Sequence, residues 1–171
     1  MYVNVELRYR ADVSTVAAML SDPAYGRARV AAGGATATHV DILGSADGAF
    51  TITTRRSMPT DQIPANIRAF VGASLEVRQI EAWEAPGDDG RRGTVVVEIA
   101  GAPVRLTGTT SLVQDGLDAS VLTYAGEVKA GVPLFGAAIE EAAARAVRTA
   151  LEAEQQSGTD WLEGRGQHEN A

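Results

Sequence analysis

Glu127-Val128-Lys129-Ala130-Gly131-Val132-Pro133-Leu134-Phe135-Gly136-Ala137-Ala138-Ile139-Glu140 is the stretch in which the chain changes its period. Before Gly131 apolar and polar residues alternate, as a half-buried strand requires. After Pro133 the apolar residues Phe135, Ala138, Ile139, Ala142, Ala146, Ala150 and Leu151 recur at helical spacing, while Glu140, Glu141, Arg145, Arg148 and Glu152 cover the other side. The spacing predicts a helix from about Leu134 to Gln156 or on to Leu162, entered directly from a strand.

Working back from that junction, the period stays at two. Strands are predicted near 119–129, 104–114, 93–101, 74–85, 48–58 and 35–44, separated by turn formers such as Gln114-Asp115-Gly116, Gly101-Ala102-Pro103 and Pro86-Gly87-Asp88-Asp89-Gly90. Short turns imply an antiparallel meander. The longer gap at 59–73 holds Ile63, Ile67, Phe70 and Val71, either a lid over a cavity mouth or a loop tucking its apolar side onto the sheet. Residues 2–10 alternate cleanly, with Val3, Val5, Leu7 and Tyr9 on one face. Asp12 or Ser14 can cap a helix through Leu20, and Pro23 starts a second short helix that reaches about Ala31 and ends at Gly33-Gly34. The fold class is α+β: about seven strands, two short helices after the first, and one long C-terminal helix. One domain is expected over 1–162, with 163–171 as a polar tail.

Composition narrows the function. With no cysteine, the chain excludes disulfides, thiolate nucleophiles and thiolate metal sites. A net charge of −7 argues against nucleic acid and anionic membranes as partners. No apolar run is long enough to span a bilayer, no signal peptide is read, and a cytoplasmic protein is expected. Neither a P-loop nor a dinucleotide-binding glycine pattern occurs. His39 lies on a strand in the parity expected to face solvent, and His168 lies in the tail, so no Ser-His-Asp or Cys-His site is expected. No metal-ligand spacing and no cofactor motif are present.

The order of elements resembles the helix-grip fold of the START, birch-pollen-allergen and polyketide cyclase superfamily. Val16-Ala17-Ala18-Met19-Leu20-Ser21-Asp22-Pro23-Ala24-Tyr25 is similar to its opening helix and Asp-Pro break, and the strand-to-helix passage Glu127–Glu140 is similar to its entry into the long helix. Trp161-Leu162 resembles the helix end of an actinobacterial branch that carries only a domain-of-unknown-function label. The resemblance implies a curved antiparallel sheet wrapped around the long helix, with a cavity between them. The residues offer separate support, because the helix face is mostly alanine and Thr36, Thr38, Thr54, Thr110 and Thr123 are small side chains expected to point inward. The other outcome is a sheet packed closer to the helix.

Within such a cavity the expected ligand contacts are Tyr9, Thr54, Arg56, Glu98, Thr110 and Tyr124 from the sheet and Phe135, Ile139 and Ala142 from the helix. If Phe50, Ile52 and Thr54 face inward, so does Arg56, whose charge needs a partner; Glu98, Gln79 and Glu81 are the candidates. Such a pair either holds a polar ligand group or sits hydrated at the open end of the sheet. Trp83 and Tyr124 read as core or rim residues, and Trp161 as the anchor of the helix end. The leading expectation is binding of a small hydrophobic or amphipathic ligand without chemistry. The alternatives are an aromatase/cyclase-type enzyme using Tyr9, Arg56, Glu98 and Tyr124, and a ligand-free interaction module. The residues leave oligomeric state open.

Overall fold

The computed structural model describes residues 1–61, 63, 65, 68, 69 and 72–164. In chain order its elements are β1 (Tyr2–Tyr9), α1 (Val13–Leu20), α2 (Pro23–Ala32), β2 (Ala37–Gly44), β3 (Phe50–Pro59), β4 (Ser74–Trp83), β5 (Arg91–Ile99), β6 (Val104–Gln114), β7 (Ser120–Ala130) and α3 (Gly136–Leu162). Strand bounds fall within two residues of those expected. The residues Ile67, Phe70 and Val71 of the expected lid, and 165–171 of the expected tail, lie outside the described residues.

The strands form one antiparallel sheet ordered β1-β7-β6-β5-β4-β3-β2. From β2 to β7 each strand pairs with its successor, β3 and β4 across the longer connection at 60–73, while β1 pairs with β7 from Tyr2↔Glu127 to Tyr9↔Ser120. The first two helices therefore carry the chain from one edge of the sheet to the other. Asp12 caps α1 by accepting from Thr15 N at 2.7 Å, and Asp22 caps α2 by accepting from Ala24 N at 2.8 Å. On the other side of the sheet, Gly108 pairs with Gly126. A Cβ on Gly108 would lie 2.2 Å from Ala125 O and 2.6 Å from Gly126 Cα, so only glycine lets β6 and β7 approach where the sheet curves.

The long helix begins at Gly136 rather than Leu134. Leu134 takes φ 66°, a left-handed conformation uncommon for a residue with a side chain, at the point where the chain passes from β7 into α3. The β-hairpin end of the sheet is tied by Arg91, whose guanidinium donates to Gly48 O at 3.0 Å, to Glu84 O at 3.3 Å and to Ala46 O, and lies 5.3 Å over the Phe50 ring. β5 starts two residues earlier than its sequence pattern suggests, with Arg91 opposite Leu112 and Arg92 opposite Ser111 on β6.

The core lies between the inner face of the sheet and α1 and α3, and includes Val3, Leu7, Val16, Leu20, Leu112, Leu122 and Ile139. Trp161 packs edge-on to Tyr25 with centroids 5.6 Å apart, joining the end of α3 to α2. Gly158 makes that junction possible. A Cβ there would stand 2.6 Å from Tyr9 Cε1 and 3.0 Å from Tyr25 Oη. Gly158→Ala is therefore expected to destabilise by about 1–3 kcal/mol, although alanine is the better helix former by about 1 kcal/mol. Urea denaturation measures it, and a stabilised variant would overturn the packing argument. Among the described residues no helix is long and apolar enough to cross a membrane.

Candidate ligand cavity and its buried polar wall

A cavity of about 430 Å3, partly open to solvent, lies between the sheet and α3. Its apolar walls are Val95, Val97 and Ile99 of β5, Val104 and Leu106 of β6, Val128 of β7, and Ala143, Val147, Ala150 and Leu151 of α3. Met58, Pro59, Ile63 and Leu75 border it at the β3–β4 end. Alanine on the helix leaves volume that a larger side chain would fill.

One wall is polar. Arg29 Nη2 donates to Glu81 Oε1 at 2.7 Å and Nη1 to Glu154 Oε1 at 2.9 Å, and all three side chains are buried. Gln79 Nε2 donates to Glu81 Oε1 at 2.8 Å, and Trp83 Nε1 to Glu81 Oε2 at 3.3 Å. The Tyr124 hydroxyl lies 3.2 Å from both Glu81 Oε2 and Glu154 Oε1. Arg56 Nη1 donates to Gln79 Oε1 at 3.1 Å, linking β3 to the group. The Tyr25 hydroxyl reaches Glu154 O at 3.5 Å.

The two carboxylates differ. Burial pushes Glu81 up, but the Arg29 charge and the donors Arg29, Gln79 and Trp83 outweigh it and hold its carboxyl below the usual range. For Glu154 burial dominates; Arg29 opposes it, the nearby Glu81 charge adds to it, and the carboxyl ends above the usual range. Burial also raises Tyr124, Tyr25 and Tyr9, keeping these phenols neutral.

The expected site residues divide. Arg56 and Tyr124 stand on the cavity wall. Thr54 and Thr110 are buried off the wall, their hydroxyls without a hydrogen-bond partner among the described residues. Tyr9 is buried at the Gly158 junction, away from the lining. Ile139 is buried in the core, Ala142 packs against that core, and Phe135 is 40% exposed at the helix start; none of the three lines the cavity. The lining face of α3 is Ala143, Ala146, Val147, Ala150, Leu151 and Glu154, of which Ala146, Ala150 and Leu151 were on the expected apolar stripe.

Glu98 requires correction: it lies on the outer face, 3.8 Å from Arg78 and 3.5 Å from Arg105, because Val95, Val97 and Ile99 take the inner parity. Thr123 likewise belongs to the face opposite Leu122 and Tyr124, and Thr36 and Thr38 are exposed. His39 is exposed. Among the described residues no cluster of three or more His, Asp or Glu side chains is placed to hold a metal ion.

Sequence reasoning missed Arg29 and Glu154. The signals were present: Arg29 follows Tyr25 by four residues on one face of α2, and Glu154 follows Ala150 by four and Val147 by seven on the cavity face of α3.

This architecture is the START-like, helix-grip fold. An aromatase/cyclase, Zhui, from Streptomyces sp. R1128 superimposes with TM-score 0.58 at 15% identity, over 100% of this chain and 98% of the other. Truncated norcoclaurine synthase from Thalictrum flavum gives 0.58 at 16% identity over 95% and 92%, and a START superfamily protein from Mycobacterium smegmatis gives 0.53 at 16% identity over 99% of each chain. No curated protein matches the sequence. The chain belongs to the family described as protein of unknown function (DUF2505), whose model matches residues 4–162.

Proposed function

We propose that the protein binds a small amphipathic molecule in the cavity between sheet and α3. The observation that carries this reading is a cavity of about 430 Å3 with apolar walls and one cluster of polar groups, Arg29, Arg56, Gln79, Tyr124 and Glu154, gathered on one side. Ligand sites have this character: mostly apolar, with a few convergent polar groups that fix orientation. The fold shared with an aromatase/cyclase and a START superfamily protein supports it as an analogy of architecture.

The test is a polarity-sensitive hydrophobic dye. It is expected to bind the native chain at one to one and to be displaced by a fatty-acid-like competitor. Ala150→Trp, on the cavity wall, is expected to abolish binding while leaving the melting temperature nearly unchanged, since the ring enters empty volume. Absence of dye binding, together with an overpacking cost of about 1–3 kcal/mol in Ala150→Trp, would instead favour an interaction module with a filled core.

One observation favours a second reading, cyclase-type catalysis on a polyketide-like substrate. Glu154 and Tyr124 both line the cavity, 3.2 Å apart, and burial holds a proton on each more tightly than in water. That is an acid suited to proton transfer within an apolar site. Recovery of bound ligand chemically unchanged after prolonged incubation separates carriage from turnover.

A further inference from the structure

The cations of the polar wall are unequally occupied. Arg29 already holds two carboxylates, Glu81 at 2.7 Å and Glu154 at 2.9 Å. Arg56 lines the same cavity, yet among the described residues its guanidinium makes one hydrogen bond, to the neutral side-chain oxygen of Gln79, and no ion pair. A half-buried guanidinium facing apolar walls, with donors unspent, is costly unless an anion meets it. Its planar fork matches a carboxylate in two parallel hydrogen bonds. A dianionic head such as phosphate would call for a second free cation, and of the other two guanidiniums on the lining Arg29 is held by Glu81 and Glu154 and Arg105 by Glu98 at 3.5 Å.

Charge balance adds a requirement. Arg29 and Arg56 together offset Glu81 and Glu154, so an arriving carboxylate leaves this partly buried group one negative charge in excess. The groups facing Glu154 are Tyr25 and Arg29 from α2, Glu81 from β4, Tyr124 from β7 and Tyr9 from β1, with Arg56 reaching the same cavity from β3. The three phenols are neutral donors, Arg29 is shared, and Glu81 is held ionised by four donors. Glu154 is thus the group on which a proton relieves the excess.

We infer that the cavity selects an apolar carboxylic acid, bound as its carboxylate on Arg56, and that Glu154 takes up a proton when the acid binds. The inference rests on the reading of the cavity as a ligand site. Burial already raises Glu154, and an added anion nearby raises it further.

Isothermal titration of the full chain with dodecanoic acid, 1-dodecanol and dodecylamine tests it, each in two buffers of different ionisation heat. Dodecanoic acid is expected to bind about tenfold to a hundredfold more tightly than the alcohol, the gain from charge-assisted hydrogen bonds. Its heat should depend on the buffer, reporting proton uptake, and its affinity should rise as the pH is lowered towards the range in which Glu154 takes up its proton, a range that burial places above that of an ordinary carboxyl. Dodecylamine should bind most weakly. In Arg56→Gln the acid and the alcohol should bind alike. In Glu154→Gln the buffer dependence should vanish with the acid preference kept; should that variant fold poorly, the wild-type buffer dependence decides alone. Equal binding of acid and alcohol by the wild type overturns the carboxylate selection while sparing the ligand site. Tighter acid binding with no proton uptake overturns the role of Glu154. Failure of every probe, the dye included, removes the cavity reading and this inference together.

Discussion

Replacing Arg29 with methionine is expected to cost about 3–5 kcal/mol at neutral pH, because it leaves Glu81 and Glu154 buried without their shared counter-charge. For a chain of 171 residues a loss of that size lowers the melting temperature by roughly 6–20 °C. The cost should depend on pH in a definite direction. In the native chain Glu81 has a depressed pKa, so its contribution is present above the ordinary carboxyl range and is lost as pH falls through the folded value. Without Arg29 both carboxyls become acids raised by burial. The folded variant then prefers them protonated and gains stability relative to the native chain on acidification. Denaturation at pH 7 and about pH 4.5 should show the deficit shrinking at the lower value. Replacing Arg29, Glu81 and Glu154 together by Met, Leu and Leu should recover much of the loss, since no charge then remains buried. A single-variant deficit below about 1 kcal/mol at neutral pH would mean that the carboxylates are solvated.

Ile139→Asp should be as damaging by a different route. Ile139 is 7% exposed in the first turn of α3 and belongs to the core. The substitution deletes a branched apolar side chain and buries a carboxylate in the hydrophobic core. The transfer and cavity terms alone reach about 2–5 kcal/mol, and desolvation of the charge adds to them. Because α3 joins the sheet mainly through such contacts, loss of the native state at room temperature is a realistic outcome. A melting temperature unchanged by Ile139→Asp would show that this turn is not docked as described.

The fold was legible because its signals are sharp. Alternation in Val3, Val5, Leu7 and Tyr9, turn formers between strands and the abrupt change of period at Gly131 each exclude most alternatives. The site was legible only in part, for three physical reasons. Alanine occupies so many positions around α3 that the apolar stripe has little contrast, so its cavity face could not be located to within one residue. In Val95-Val96-Val97-Glu98-Ile99 both parities are apolar, so nothing in the strand itself told that Glu98 points outward. Arg29 sits among alanines on a short helix, where a charged residue ordinarily faces water; its partners come from positions 81 and 154, far along the chain. Arg56 was recoverable because one strand carried its parity. Helical spacing could have placed Arg29 and Glu154 on the inner faces of their own helices, but their meeting with Glu81 joins three elements distant along the chain.

The pairing of β1 with β7 also sets a timetable for synthesis. Its partners, from Tyr2↔Glu127 to Tyr9↔Ser120, are more than a hundred residues apart, so the ribosome releases the first strand long before its neighbour exists. At about 5–20 residues per second the interval is roughly 5–25 s. Throughout it Val3, Leu7 and Tyr9 lack the β7 partner, and the emerging β2–β6 meander, which needs only pairings between successive strands, can assemble first. Glu154 arrives later still, so the polar wall is completed only after the whole sheet has been synthesised. Nascent chains stalled before residue 120 should therefore present an apolar edge strand to chaperones, and those stalled before residue 154 a meander whose Arg29 and Glu81 have met without their third partner.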